Sequence, residues 1–151
     1  MWPFKTRTKE DIEQTKHLEA IIADLEKVIQ ILSPETAPVV KIYEDKHKEF
    51  AEYYEKPLHI INKLIMYMEH INYPFPYDFE SEVQTKSVLD DLNYSKNQLS
   101  SIIETALILA SKKKKLTDPW VTVSGRNVYS KHTHERLVVV RTKLQDKLHS
   151  L

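Results

Sequence analysis

Residues 18–32 read LEAIIADLEKVIQIL, and their apolar side chains recur at the three- and four-residue spacing of one helix face. This face comprises Leu18, Ile21, Ile22, Leu25, Val28, Ile29 and Leu32. Upstream, Thr8 and Asp11 form a capping-box pattern, in which a hydroxyl and an acid three residues later satisfy free backbone N–H groups. The sequence therefore predicts a helix from about Thr8 to Leu32, ending before Pro34 because proline lacks the N–H of a helix interior.

A second apolar stripe runs from Val39 to Asn72 and predicts another long helix. Pro57 lies in its middle. Proline clashes with the carbonyl four residues before it, so the segment is either kinked at Pro57 or broken into two helices there. The bundle would accordingly contain four helices or five.

Two more helices are expected in the second half of the chain. A capping-box pattern at Ser81–Gln84 predicts the start of one, which ends near the lysine run Lys112–Lys115. The last helix is predicted from about Ser130 to the end of the sequence. Between them, β-favouring residues on both sides of a Ser-Gly-Arg-Asn turn indicate a short β-hairpin near residues 120–129.

Together these segments predict an all-α protein, a single domain over residues 1–151 folded as an antiparallel four- or five-helix bundle. Glycine occurs once, at Gly125, which excludes sites built on glycine-rich phosphate-binding turns. Cysteine is absent, which excludes disulfides and thiolate chemistry.

The sequence also favours a cytoplasmic location. Its opening residues contain no apolar run typical of a secretory signal. The most apolar stretch, residues 99–110, is shorter than the roughly 20 residues that span a bilayer, and it contains Glu104. We expect no membrane span.

Charge is distributed unevenly along the chain. Residues 1–93 carry 11 basic and 18 acidic side chains, whereas residues 94–151 carry 11 basic and 4 acidic ones. The net charge of zero thus combines halves of −7 and +7. An anionic partner for the second half is one explanation. Attraction between the halves within one fold is the explanation we favour, because nucleic-acid binders usually carry net positive charge as well.

One motif prompts a metal hypothesis. Di-iron sites in helical bundles use paired Glu-x-x-His motifs, and Glu44-x-x-His47 matches once with no second copy. His47 lies on an otherwise apolar stripe, where a histidine bonded to a neighbouring group is the favoured interpretation. We therefore expect no metal, no cofactor and no catalytic residue, with His47 and Glu44 as weak metal candidates.

Three surfaces are candidates for binding another macromolecule. An acidic face on the first two helices would suit a basic protein. It comprises Asp11, Glu13, Glu19, Asp24 and Glu26 on the first helix, and Glu44, Asp45, Glu49, Glu52 and Glu55 on the second. A proline-stiffened aromatic loop would suit a protein interface or close one end of the bundle; it contains Tyr73, Phe75 and Tyr77. A basic region would suit nucleic acid; it contains Lys112, Lys113, Lys114, Lys115, Trp120 and Arg126.

The sequence thus favours a non-catalytic bundle that acts by protein–protein interaction, like small immunity, antitoxin or adaptor proteins. This analogy rests on size and helicity. A nucleic-acid-binding accessory protein that uses the basic C-terminal third is the alternative. A metal-dependent bundle enzyme centred on His47 is the second alternative. Self-association stays open.

Overall fold

The computed structural model describes residues 8–72, 76–78, 85–117 and 130–151. In this part of the chain, four helices pack around one hydrophobic core, which confirms the predicted all-α bundle. The elements in chain order are α1 (Lys9–Leu32), α2 (His47–Ile71), β1 (Pro76–Asp78), β2 (Thr85–Ser87), α3 (Val88–Ser111) and α4 (Lys131–His149). Within these residues, no helix is long and apolar enough to cross a membrane.

Helix α1 has the predicted boundaries for the predicted reasons. The hydroxyl of Thr8 accepts the Asp11 N–H at 3.1 Å, and the Asp11 carboxylate accepts the Thr8 N–H at 3.3 Å. Every member of the apolar stripe between Leu18 and Leu32 is buried. The capping box and the apolar stripe therefore both indicate the same helix, as the sequence predicts.

Helix α2 begins at His47 and not at Val39, so the predicted start is wrong by two turns of helix. Residues 40–45 instead form successive turns. The carbonyl of Glu44 accepts the N–H of Leu116 at 3.0 Å, whereas in a longer helix it would accept from Lys48. Leu116 is fully buried, so its packing holds that carbonyl away from a helical partner.

Pro57 lies inside α2, which continues through it without a break. The bundle therefore has four helices among the described residues. Since Pro57 has no N–H, the Tyr53 carbonyl loses its helical partner. The buried position of Pro57 in the core-facing stripe offsets part of that loss. A kink at this point stays a prediction.

Contacts between side chains show how the helices are arranged. The Tyr53 hydroxyl donates to the Ile31 carbonyl at 2.6 Å, and at the other end of the pair His17 contacts the Tyr67 hydroxyl. Helices α1 and α2 are therefore antiparallel. Helix α2 is also antiparallel to α3, because His47 at its start contacts Lys114, which follows the end of α3.

Helix α3 begins at Val88, later than the predicted start near Ser81. Residues Thr85–Ser87 form β2 and pair antiparallel with β1, in the register Pro76 with Ser87 and Asp78 with Thr85. Backbone pairing with β1 thus replaces a helical turn. The capping-box residues 81–84 and the hairpin predicted near 120–129 lie outside the described residues.

The end of α3 has a Schellman motif. The Lys114 N–H donates to the Leu109 carbonyl at 2.9 Å, and the Lys113 N–H donates to the Ala110 carbonyl at 3.1 Å. Lys113 adopts a left-handed φ of 56°, where glycine is usual. This turn ends the helix at the predicted lysine run and directs the chain toward the start of α2.

Candidate functional site

The Glu44-x-x-His47 motif holds the segment that follows α3. His47 Nε2 lies 2.6 Å from the Lys114 carbonyl oxygen, and because a carbonyl only accepts, Nε2 carries the proton and donates it. The Thr117 hydroxyl donates to the Glu44 carboxylate at 2.7 Å. The Lys115 ammonium lies 3.7 Å from the same carboxylate. Both motif residues therefore contact residues 114–117.

These contacts bear on the metal hypothesis. With Nε2 donating to a carbonyl, His47 has only Nδ1 left as an acceptor. Among the described residues, no group of three or more histidine, cysteine, aspartate or glutamate side chains could hold a metal ion. The arrangement fits a structural clamp between α2 and residues 114–117.

The clamp favours the ionised form of Glu44. The hydrogen bond from Thr117 lowers the pKa of the Glu44 carboxyl, and the nearby positive charge of Lys115 lowers it further. A carboxyl with a lower pKa in the folded state than in the unfolded chain stabilises the fold at neutral pH. That contribution is lost as the pH falls through the folded-state pKa.

We therefore expect Glu44→Gln to change how stability depends on pH. Glutamine keeps an oxygen to accept from Thr117 but carries no charge for Lys115. The variant should have a lower urea midpoint than the wild type at pH 7, and the difference should shrink below about pH 4. Urea unfolding at several pH values measures this. Glu49→Gln, on an exposed side chain, is the control, and an equal deficit of Glu44→Gln at every pH would contradict the argument.

Ion pairs between described residues join the acidic first part of the chain to the basic second part. One is Lys115 with Glu44, and another is Arg136 with Asp91, whose Nε and Oδ1 atoms are 2.8 Å apart. These pairs are consistent with attraction between the halves inside the fold. The positive charges of Lys115 and Arg136 are therefore paired with carboxylates of the same chain.

The acidic face predicted on the second helix divides into two parts. Glu44 is half-buried in the clamp, while the other four carboxylates are exposed. We call these four the acidic surface: Asp45, Glu49, Glu52 and Glu55. None of them forms an ion pair with another described residue. Lysines 46, 48 and 56 are exposed along the same stretch, so the surface carries both signs of charge.

Two large aliphatic side chains lie just before the acidic surface. Val39 is 54% exposed and Ile42 is 67% exposed. The sequence stripe placed Val39 at the start of a helix, but the turns at residues 40–45 leave both side chains in solvent. Exposed aliphatic side chains can supply the apolar part of a protein interface.

The basic and aromatic candidates are only partly described. Lys112 and Lys113 are exposed, Lys114 is half-buried, and Lys115 pairs with Glu44. Trp120 and Arg126 lie outside the described residues, as do Tyr73 and Phe75. Tyr77 belongs to β1 and pairs through its backbone with Lys86. The basic and aromatic surfaces therefore stay predictions.

A groove of about 610 Å³ is a candidate site that the sequence analysis missed. One wall is aliphatic and comes from the end of α1 and the connection after it: Leu32, Pro34, Ala37, Pro38, Val39 and Val40. Tyr54, Thr117 and Ser130 supply hydroxyl groups, and Lys41 and Lys131 complete the lining. These residues come from four separate segments, so no local pattern reveals the groove. In the sequence, Pro34 indicates only the end of a helix.

Two buried hydroxyls lie together in the lining of this groove. The Tyr54 and Ser130 oxygens are 3.3 Å apart, and either one can be the donor. Burial raises the pKa of the Tyr54 hydroxyl, so it stays protonated at neutral pH. The pair joins α2 to the residue that precedes α4.

Comparison with protein-family models, with curated proteins and with solved structures found no match to this chain. The function is therefore inferred from the geometry of the described residues.

Proposed function

We propose that this protein is non-catalytic and acts by binding a basic protein partner in the cytoplasm, as small immunity, antitoxin and adaptor proteins do. The observation that carries the proposal is the acidic surface, with four exposed carboxylates that pair with no other described residue. Val39 and Ile42, which are exposed shortly before Asp45 in the chain, would supply the apolar contact that a protein interface needs.

The chemistry of this surface favours a protein over a nucleic acid. Carboxylates repel phosphates, whereas lysine or arginine side chains of a partner pair with them. Because lysines 46, 48 and 56 dilute the negative charge, the partner must match individual charges at short range. Such matching contributes mainly to specificity and association rate, while apolar burial contributes most of the affinity.

The test begins with capture of partners from the native host on immobilised protein. We expect Glu49→Lys/Glu52→Lys to lose a basic protein that the wild type retains. With that partner purified, the double reversal should slow association about tenfold at low salt, and less at high salt. Helix content and thermal midpoint should stay unchanged, since exposed charges contribute little to stability.

A matched control reverses two acids elsewhere. Glu69 and Asp146 are also exposed, so Glu69→Lys/Asp146→Lys makes the same change in net charge away from the acidic surface. The proposal predicts normal association for this control. Equal slowing in both double variants would show a general charge effect and would contradict a specific surface.

The nucleic-acid alternative makes the opposite prediction. Binding to a short DNA duplex would depend on the exposed Lys112 and Lys113 and would be unaffected or improved by the acidic reversals. Duplex binding that Lys112→Ala/Lys113→Ala abolishes would replace the proposed protein partner.

A further inference from the structure

The groove between the α1–α2 connection and the start of α4 has an apolar wall and a few polar groups. Between positions 32 and 40, every residue that lines the groove has an apolar side chain. No acidic side chain belongs to the described lining. A pocket of several hundred cubic ångströms with an apolar wall and a few polar groups is typical of small-molecule sites.

Two lysines add positive charge to the lining of this groove. Lys41 and Lys131 both line it, and both are exposed, so their ammonium groups can move toward a ligand. Lys131 lies 4.0 Å from Glu135, a long contact between two exposed side chains that a ligand can replace.

The start of α4 adds to this positive potential. Ser130 and Lys131 are the cap and first residue of the helix, and both belong to the groove lining. The first turn of α4 contains no acidic residue, and the Ser130 side chain makes no capping hydrogen bond. The positive end of the helix dipole is therefore not neutralised by a carboxylate of its own first turn.

The hydroxyl pair provides a specific donor. Tyr54 and Ser130 together hold two hydroxyl protons, and the bond between them uses one. Within the described residues, the second proton has no other acceptor. An oxygen atom of a ligand in the groove can accept from this donor.

We propose that this groove binds a small aliphatic carboxylate. The aliphatic wall packs against the hydrocarbon chain, Lys41 and Lys131 pair with the carboxylate, and the hydroxyl pair donates to one of its oxygens. Each part of the ligand thus meets a complementary part of the lining. The groove lining contains no residue of the acidic surface, but it shares Val39 with the proposed protein interface. Octanoate binding tests the groove and the Glu49→Lys/Glu52→Lys reversal tests the protein interface, so the two proposals can fail separately.

Octanoate is a suitable probe because its chain is short enough to stay monomeric in dilute solution. Titration into the full chain, followed by ¹H–¹⁵N NMR, should give saturable shifts with a Kd of about 0.1–1 mM. The largest shifts should come from backbone amides at Ala37, Val40 and Lys131. Octanol and octylammonium should bind at least about tenfold more weakly, since neither provides an anion. Equal binding of all three probes would overturn the proposal.

Two double lysine variants distinguish octanoate binding in this groove from nonspecific binding to positive charge on the protein. Lys41→Gln/Lys131→Gln should raise the octanoate Kd about tenfold. Lys27→Gln/Lys63→Gln is the matched control, because these lysines are exposed and one of them also has a neighbouring acid, Asp24. An unchanged Kd in the first variant, or an equal rise in both, would overturn the assignment of the charged end.

A third variant tests the apolar wall. Ala37→Trp should fill the groove and remove saturable binding, while circular dichroism shows that the helices remain. Absence of saturable octanoate binding to the unmodified chain would overturn the proposal. Concentration-dependent dimers that block the groove would do the same, because a second copy would then be its occupant.

Discussion

Replacing Leu25 with alanine is expected to lower the free energy of unfolding by about 2–5 kcal/mol. Leu25 is fully buried at the centre of the α1 stripe, inside the core that all four helices share. The substitution removes apolar contacts and leaves a cavity that the surrounding helices fill only in part. Urea unfolding monitored by circular dichroism measures the loss.

Leu107→Ala is the matched control. Leu107 belongs to the apolar pattern of the third helix, but the structure leaves it 50% exposed. The same chemical change should therefore cost less than about 1 kcal/mol. If the two variants lose similar free energy of unfolding, burial in the bundle does not explain the effect of Leu25→Ala.

Replacing Arg136 with methionine should destabilise the fold by about 3–5 kcal/mol. Its guanidinium lies 2.8 Å from Asp91 Oδ1 and packs 4.0 Å from the centre of the Tyr94 ring. Asp91 is only 2% exposed, and its second oxygen has no partner among the described residues. Without Arg136, a buried carboxylate remains with no opposite charge. Chemical unfolding at neutral pH measures the effect.

The double variant Asp91→Leu/Arg136→Met tests the cause. It removes both charges and fills the interface with apolar side chains, so it should recover most of the lost stability. A single Arg136→Met variant that loses less than about 1 kcal/mol would show that water solvates Asp91. Failure of the double variant to recover would assign the loss to packing on Tyr94 instead.

Helix α3 buries polar side chains in addition to Asp91. Ser95 and Thr105 are buried on α3, and their hydroxyls have no partner among the described residues. No periodicity in the sequence predicts this, because both residues interrupt the apolar stripe without marking a turn. Of the buried polar groups on α3, Asp91 is the one whose ion pair joins α3 to α4 in the described residues.

Parts of the fold follow directly from the sequence. The boundaries of α1 depend on a capping box and on a stripe at helical spacing, both of which act over a few residues. The start of α4 near Ser130 and the end of α3 at the lysine run were predicted on similar grounds. In these segments, local preferences and the packed structure agree.

Other parts depend on contacts between residues distant in the chain. The apolar pattern from Val39 onward fits a helix, yet the Glu44 carbonyl bonds to Leu116 and the helix begins at His47. Likewise, the pairing of β1 with β2 delays α3 until Val88. A periodic pattern does not specify which distant N–H group will compete for a carbonyl.

The sequence alone determined that the chain forms amphipathic helices, because capping and apolar spacing are properties of neighbouring residues. It also singled out Glu44 and His47 as an unusual pair. Only the tertiary structure decided that both residues hold the segment after α3, and that the connection after α1 meets Tyr54 and Ser130 to form a groove. A site of this kind is created when separate segments pack together, so its chemistry depends on distances that the order of residues does not contain.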